Sequence, residues 1–132
     1  MATIRKEILI DTTPEAAWDA LRDIGALHTR LVSGFVTDTK VEGNTRVVTF
    51  SSGTVAREEI ISVDADQKRV AWAIVGQHFH HFNGAAQIFA HRNGIRVVWI
   101  TDLLPDSMAG PIDTAMTAGI AAMKKTLESA GT

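Results

Sequence analysis

Cysteine is absent from this chain of 132 residues. Its absence excludes disulfide bonds, thiolate nucleophiles and zinc sites with cysteine ligands, and it fits a reducing compartment. The 13 Lys and Arg residues are outnumbered by 15 Asp and Glu residues, for a net charge of −2, and no run of Lys or Arg forms a basic stripe. Since phosphate binding needs clustered cations, we expect no nucleic-acid partner.

Long apolar runs are scarce as well. Near the N-terminus, Arg5, Lys6 and Glu7 interrupt the chain before an apolar stretch develops. We therefore expect neither a secretory signal nor a transmembrane span, and a cytoplasmic location is the default expectation. Hydrophobic residues make up 45% and charged residues 21%, as in ordinary globular proteins, and the length predicts a single domain over residues 1–132.

Two short helices are predicted after a first strand. Residues 13–15 (Thr-Pro-Glu) combine a capping hydroxyl, a proline suited to the first helical turn and an acidic group for the positive end of the helix dipole. Gly25 interrupts this helix, and residues 26–31 predict a second one. At the other end of the chain, apolar residues after Pro105 recur every three or four positions and predict one long helix within residues 106–130, with Gly131 as its stop.

Between these helical regions the chain reads as short β-rich runs divided by turn residues. Short dividers imply consecutive antiparallel hairpins and no crossover helices. With the first strand, the predicted strands cover residues 4–10, 35–41, 46–51, 55–63, 69–75, 80–91 and 95–104.

Three segments carry a resemblance to a known superfamily: residues 10–18 with Pro14 and Trp18, residues 70–72 with Trp72, and residues 93–99 with Pro105 after them. They resemble the strand-to-helix start, the aromatic strand and the last hairpin of the START-like superfamily, also called SRPBCC, which includes polyketide cyclases and the birch pollen allergen family. The resemblance implies an α+β helix-grip fold, in which a curved antiparallel sheet of six to seven strands wraps around the long C-terminal helix and leaves a cavity. It does not imply one reaction, because members bind lipids, hormones or polyketides, cyclise aromatic intermediates or assist chaperones.

The last hairpin predicts which side chains face the helix. If Asn93 and Gly94 form a two-residue turn, Arg92 pairs with Ile95, and alternation divides the two strands into an apolar inner face and a polar outer face. With residues from the neighbouring strand and the last helix, the predicted ligand-binding set is Trp72, Phe82, Gly84, Ala86, Ile88, Trp99, Thr101, Leu103, Met116, Ile120 and Met123.

Small residues in this set leave room for a ligand, and Gly119 leaves room from the helix side. The alternative is that small residues let the helix pack closely against the sheet.

The histidines at positions 78, 80 and 81 are the most noticeable polar cluster. His78 and His80 could share a metal, but no third ligand is evident, because Asp102 falls on the opposite face from His80. We therefore expect no metal and no cofactor. His80, predicted at the inner end of its strand, is the candidate catalytic residue, as a hydrogen-bonding group or an acid–base catalyst.

Glu58 and Glu59 must point to opposite faces of their strand. One carboxylate therefore enters the cavity, and the sequence leaves open which; a structural salt bridge with Arg46 or Arg57 is the expected use.

Two functions remain open. The first is the binding of a hydrophobic, aromatic or polyketide-like small molecule, with or without cyclase or dehydratase activity that needs no cofactor. The second is a protein–protein interaction module with a filled core and a functional outer face around Gln87, Arg96 and Asp102. A cavity in the structure would favour ligand binding over the interaction module. The sequence also leaves open whether the protein forms a homodimer.

Overall fold

A computed structural model describes residues 1–130 of the chain. The strands are β1 (Ala2–Ile10), β2 (Val36–Glu42), β3 (Thr45–Phe50), β4 (Val55–Asp64), β5 (Arg69–Ile74), β6 (His81–His91) and β7 (Gly94–Leu104). The helices are α1 (Pro14–Leu21) and α2 (Ala109–Ala130), with a π-helical turn at Leu27–Leu31 and a 3₁₀ turn at Asp106–Met108. The predicted stop at Gly131 lies outside the described residues.

The seven strands form one sheet in the order β1-β7-β6-β5-β4-β3-β2, and every pair of neighbours is antiparallel. With α2 it makes the predicted α+β helix-grip fold, so the predicted fold class is confirmed. Within residues 1–130, no helix is long and apolar enough to cross a membrane.

The first short helix, α1, forms with its predicted cap, the second predicted helix is a π-helical turn at Leu27–Leu31, and ion pairs join the two. The Thr13 hydroxyl accepts a hydrogen bond from the Ala16 amide at 3.1 Å and so caps α1. Arg30 in the π-helical turn then binds Asp19 of α1 at 2.6 Å and Asp23 at 3.0 Å. Hydrogen bonding to Arg30 lowers the pKa of Asp19. These bonds hold the turn beside α1.

Helix α2 is anchored along the edge strand β1 and not over the centre of the sheet. Near its start, Asp113 pairs with Lys6 at 2.5 Å. Near its end, Lys124 donates to the Leu9 carbonyl at 2.9 Å, and Glu128 accepts from the Asp11 amide at 3.0 Å. Its buried residues are Met116, Gly119, Ile120, Met123 and Leu127. The sheet face beyond β6 is therefore left for other elements to cover.

The last hairpin differs from the prediction in its register. His91 pairs with Gly94, so the turn residues are Arg92 and Asn93, and Gly94 begins β7. Neither turn residue has a positive φ. The glycine at position 94 is required for another reason, since it lies against the Ile10 carbonyl of β1, where a Cβ has no space. The error is a shift of two residues, which leaves every side chain on its predicted face.

We predict that Gly94→Ala lowers the free energy of unfolding by about 1–3 kcal/mol, because the new methyl group must push β1 away from β7. Urea denaturation followed by circular dichroism measures the effect. Gly110→Ala is the control, since nothing lies within 4 Å of its added Cβ and alanine favours the helix. Equal midpoints for the two variants would contradict the close approach of Gly94 to Ile10.

Candidate functional site

A cavity of about 690 Å³ lies between the concave face of the sheet and α2. The π-helical turn and Phe35 close one side, and the start of α2, from Met108 onward, closes another. Most of the wall is aliphatic or aromatic, and its polar side chains are Arg46, Ser51, Ser52, Thr54, Glu58, His78, Thr101 and Thr114. The core of this domain is therefore not filled.

Seven of the eleven predicted ligand-binding residues are on the cavity wall: Trp72, Phe82, Ala86, Trp99, Thr101, Met116 and Met123. The other four, which are not among the wall residues, are Gly84, Ile88, Leu103 and Ile120. Ile88, Leu103 and Ile120 share the inner side of the fold with the wall residues but are packed in the core, at 5%, 0% and 6% exposure. Sharing a buried face is thus not sufficient to reach the cavity.

The small size of two glycines predicted open room for a ligand beside them. In the structure, indole rings occupy that space. Gly84 is the β6 partner of Trp72, and a Cβ on it would lie 2.7 Å from the Trp72 ring. On α2, a Cβ on Gly119 would lie 2.8 Å from the ring of Trp99. The two indoles are 6.4 Å apart, centroid to centroid, and inclined by 60°. The glycines therefore set the positions of the two largest rings on the wall.

The histidine on the wall is His78, not the predicted His80. His80 is exposed just before β6, with its amide donating to the Leu104 carbonyl at 2.9 Å. The strand begins one residue later than predicted, so the alternation that was to turn His80 inward does not extend to it. A catalytic role for His80 stays a prediction without support from its position. Within residues 1–130, no three His, Asp or Glu side chains are grouped to hold a metal ion.

Glu58 is the carboxylate that faces the cavity, while Glu59 is exposed on the other side. Its partner is Arg46, which lies directly opposite on β3, with Nε donating to Oε1 at 2.7 Å. The two side chains are only 4% and 9% exposed. The Arg46 guanidinium also lies over the Trp72 ring at 5.2 Å. A salt bridge with Arg46 or Arg57 is the use that the sequence predicts, and the structure forms it with Arg46, on the cavity wall.

Two polar atoms beside the cavity are enclosed without a hydrogen-bond partner in the described part of the chain: the indole Nε1 of Trp99 and the hydroxyl of Thr101. Thr101 is 1% exposed and lies two residues from Trp99 on the inner face of β7. An enclosed polar atom that has lost water without gaining a partner destabilises the fold. The predicted hydroxyl of Thr101 is therefore present at the wall, but enclosed.

The outer face of the sheet carries polar groups that bond to one another. Arg96 donates to Glu7 at 3.0 Å, and Asp102 accepts from Thr3 at 2.6 Å and from Asn83 at 3.1 Å. Both hydrogen bonds lower the pKa of Asp102, and the bond from Thr3 has the larger effect. These residues stabilise neighbouring strands against each other.

This combination of fold and site defines a cavity-containing helix-grip domain. The chain belongs to the family described as polyketide cyclase/dehydrase and lipid transport, whose sequence profile matches residues 1–130. The predicted resemblance to the START-like superfamily is confirmed. No curated protein sequence matches the chain.

Solved structures of similar fold include an uncharacterised protein from Bacillus thuringiensis, with a TM-score of 0.82, 15% identity, and coverage of 96% of this chain and 98% of that one. The di-domain aromatase/cyclase BexL of the BE-7585A biosynthetic pathway gives 0.81 at 12% identity, covering 97% of this chain and 47% of BexL. Norcoclaurine synthase from Thalictrum flavum, a point mutant in complex with a transition-state analogue, gives 0.71 at 15% identity, with 99% and 96% covered. Identities this low show a shared fold.

Replacing an enclosed hydroxyl without a partner should stabilise the domain. We expect Thr101→Val to raise the free energy of unfolding by about 1 kcal/mol, because the isosteric methyl group has no hydrogen bond to lose. Thr39→Val is the matched control: Thr39 is also buried, but its hydroxyl bonds to His28 Nδ1 at 3.2 Å, so this variant should lose about 1 kcal/mol. Urea denaturation measures both, and a destabilised Thr101→Val would show that the hydroxyl has a partner.

Proposed function

We propose that this protein binds a hydrophobic, aromatic or polyketide-like small molecule inside the cavity. The observation that carries the proposal is the cavity itself, whose volume of about 690 Å³ lies within the range of small-molecule pockets. Filling such a space would stabilise the domain, because empty apolar volume forfeits packing contacts. The cavity therefore argues for an occupant.

The side chains on the wall fit a flat apolar ligand. Trp72 and Trp99 present two ring systems, and Phe79 and Phe82, with centroids 4.8 Å apart, present two more near the start of β6. Aromatic faces of this kind stack with aromatic ligands. Met116 and its neighbour on the same wall, Met123, add flexible thioether chains that adapt to ligand shape.

Catalysis is the second form of the same proposal. BexL is named as an aromatase/cyclase and the Thalictrum flavum protein as a synthase, so proteins of this fold include named enzymes. For this chain the reaction would be an aldol-type cyclisation, in which a carbon–carbon bond forms between an enol carbon and a carbonyl carbon and water then leaves. The wall offers few proton-transferring groups for it: Glu58 is held by Arg46, and His78 is exposed at the rim. Binding without turnover is therefore the primary proposal.

The interaction-module hypothesis is less well supported. It requires a filled core, whereas the core contains a cavity. It also requires an available outer face, whereas Arg96, Asp102 and Gln87 are engaged with neighbouring residues, the last through a bond to the Gln67 carbonyl at 3.1 Å.

Tryptophan fluorescence tests the proposal. The neutral probe N-phenyl-1-naphthylamine should quench tryptophan emission saturably, because Trp72 and Trp99 are on the wall. Trp99→Phe should reduce the quenching by roughly half, since it removes one of the two wall indoles. Trp18→Phe is the control, because Trp18 belongs to α1 and is not among the wall residues.

The control should keep the full saturable response, and circular dichroism should show both variants folded. A response that Trp18→Phe abolishes and Trp99→Phe leaves intact would place the probe outside the cavity. No saturable response in the wild-type protein would overturn ligand binding.

A further inference from the structure

The cavity wall is apolar except for a few groups, and the Arg46–Glu58 ion pair is the most deeply buried of its charged groups. The two residues face each other across β3 and β4, joined by one hydrogen bond of 2.7 Å. Their side chains are 4% and 9% exposed, and both residues are on the wall of the cavity. A charged pair is thus built into a space that is otherwise suited to hydrocarbon.

The hydrogen-bonding capacity of this pair is mostly unused. A guanidinium has five N–H donors and a carboxylate can accept about four hydrogen bonds. Across residues 1–130, the one hydrogen bond recorded for either side chain joins Arg46 Nε to Glu58 Oε1. The indole of Trp72 under the guanidinium, at 5.2 Å, supplies attraction but accepts no proton along the edge of the group. Donors and acceptors therefore remain side by side at the wall.

We propose that the Arg46–Glu58 pair is a polar subsite that selects a neutral ligand group able both to donate and to accept a hydrogen bond, such as a phenol or another hydroxyl on an apolar ring system. The inference rests on the proposed binding function and specifies its ligand class. The hydroxyl oxygen accepts from the Arg46 guanidinium while its proton is donated to the Glu58 carboxylate.

Charge determines the selection. The two formal charges of the pair cancel, so the cavity has no net charge to offer an ionic ligand. A carboxylate ligand meets Arg46 but is repelled by Glu58, and an ammonium ligand meets Glu58 but is repelled by Arg46; each also loses its own hydration. A hydrocarbon leaves the spare donors and acceptors of the pair unsatisfied. A neutral hydroxyl avoids all three penalties.

A set of four ligands with one ring system tests the selection. Naphthalene, 1-naphthol, 1-naphthoate and 1-naphthylmethylammonium are titrated at pH 7 as competitors of N-phenyl-1-naphthylamine. For the wild-type protein we expect 1-naphthol to bind about tenfold more tightly than naphthalene, the gain typical of a hydrogen bond to a charged group. Both ionic ligands should bind more weakly than 1-naphthol.

Single neutralising substitutions should reverse the preference in opposite directions. Glu58→Gln leaves the charge of Arg46 without its partner, so 1-naphthoate should become the best of the four ligands. Arg46→Gln leaves the charge of Glu58, so 1-naphthylmethylammonium should become the best. Glu59→Gln is the matched control, since it makes the same change one residue away on the exposed side of β4 and should keep the wild-type order.

Removing one partner of a buried pair can unfold a domain, so a double variant secures the test. Arg46→Leu combined with Glu58→Leu leaves no unpaired charge, and it should bind naphthalene while losing the preference for 1-naphthol.

The outcomes separate the two proposals. If no member of the set displaces the probe from the wild-type protein, the proposed ligand binding fails, and this inference with it. If naphthalene binds but 1-naphthol gains nothing, the subsite is wrong and cavity binding stands. The same conclusion follows if the double variant keeps the 1-naphthol preference.

Discussion

The seating of two indole rings on two glycines is the constraint on which the cavity depends. Trp72 lies over Gly84 of the adjacent strand, and Trp99 lies against Gly119 of α2. A glycine within a helix costs about 1 kcal/mol relative to alanine. Burying a large aromatic side chain offsets that cost, because such a side chain removes about 150–250 Å² from water. The rings are then held 6.4 Å apart at the cavity wall.

The position of α2 completes this arrangement. Polar bonds from Lys6, Lys124 and Glu128 fix the helix along β1, at one edge of the sheet. A helix held at this edge does not pack directly on the far strands, so β3, β4 and β5 face the cavity, which the π-helical turn, Phe35 and the start of α2 enclose. The cavity is thus a consequence of where the helix is anchored, not of small side chains alone.

Period-two alternation made much of this structure predictable from the sequence. The inner face of β6 and β7 was assigned correctly even though the hairpin register was wrong by two residues, because such a shift preserves the face of every side chain. The register itself depends on a contact with no local signal, the approach of Gly94 to the Ile10 carbonyl. His80 shows the same limit, since alternation does not reveal where a strand begins. Which inner residues reach the cavity depends on helix placement, and pairwise spacing along the chain does not encode that.

The Arg46–Glu58 pair is difficult to explain as a stabilising device. Taking two charges out of water costs several kcal/mol each, and replacing a buried pair with apolar residues is often neutral or stabilising, by about 1–4 kcal/mol. Fixing the register of β3 against β4 is the other structural explanation for such a pair. That register is already set without it, because Val48 and Ala56, the next inward-facing partners, are buried at 0% and 6% exposure, and a slip of one residue would turn one of the two outward. What remains distinctive about the pair is its place on the wall of an apolar cavity, with most of its hydrogen-bonding capacity unused. Such a pair gives a hydrophobic pocket a means of discrimination, since it rewards a ligand for one correctly placed hydroxyl and penalises ligands that carry a charge.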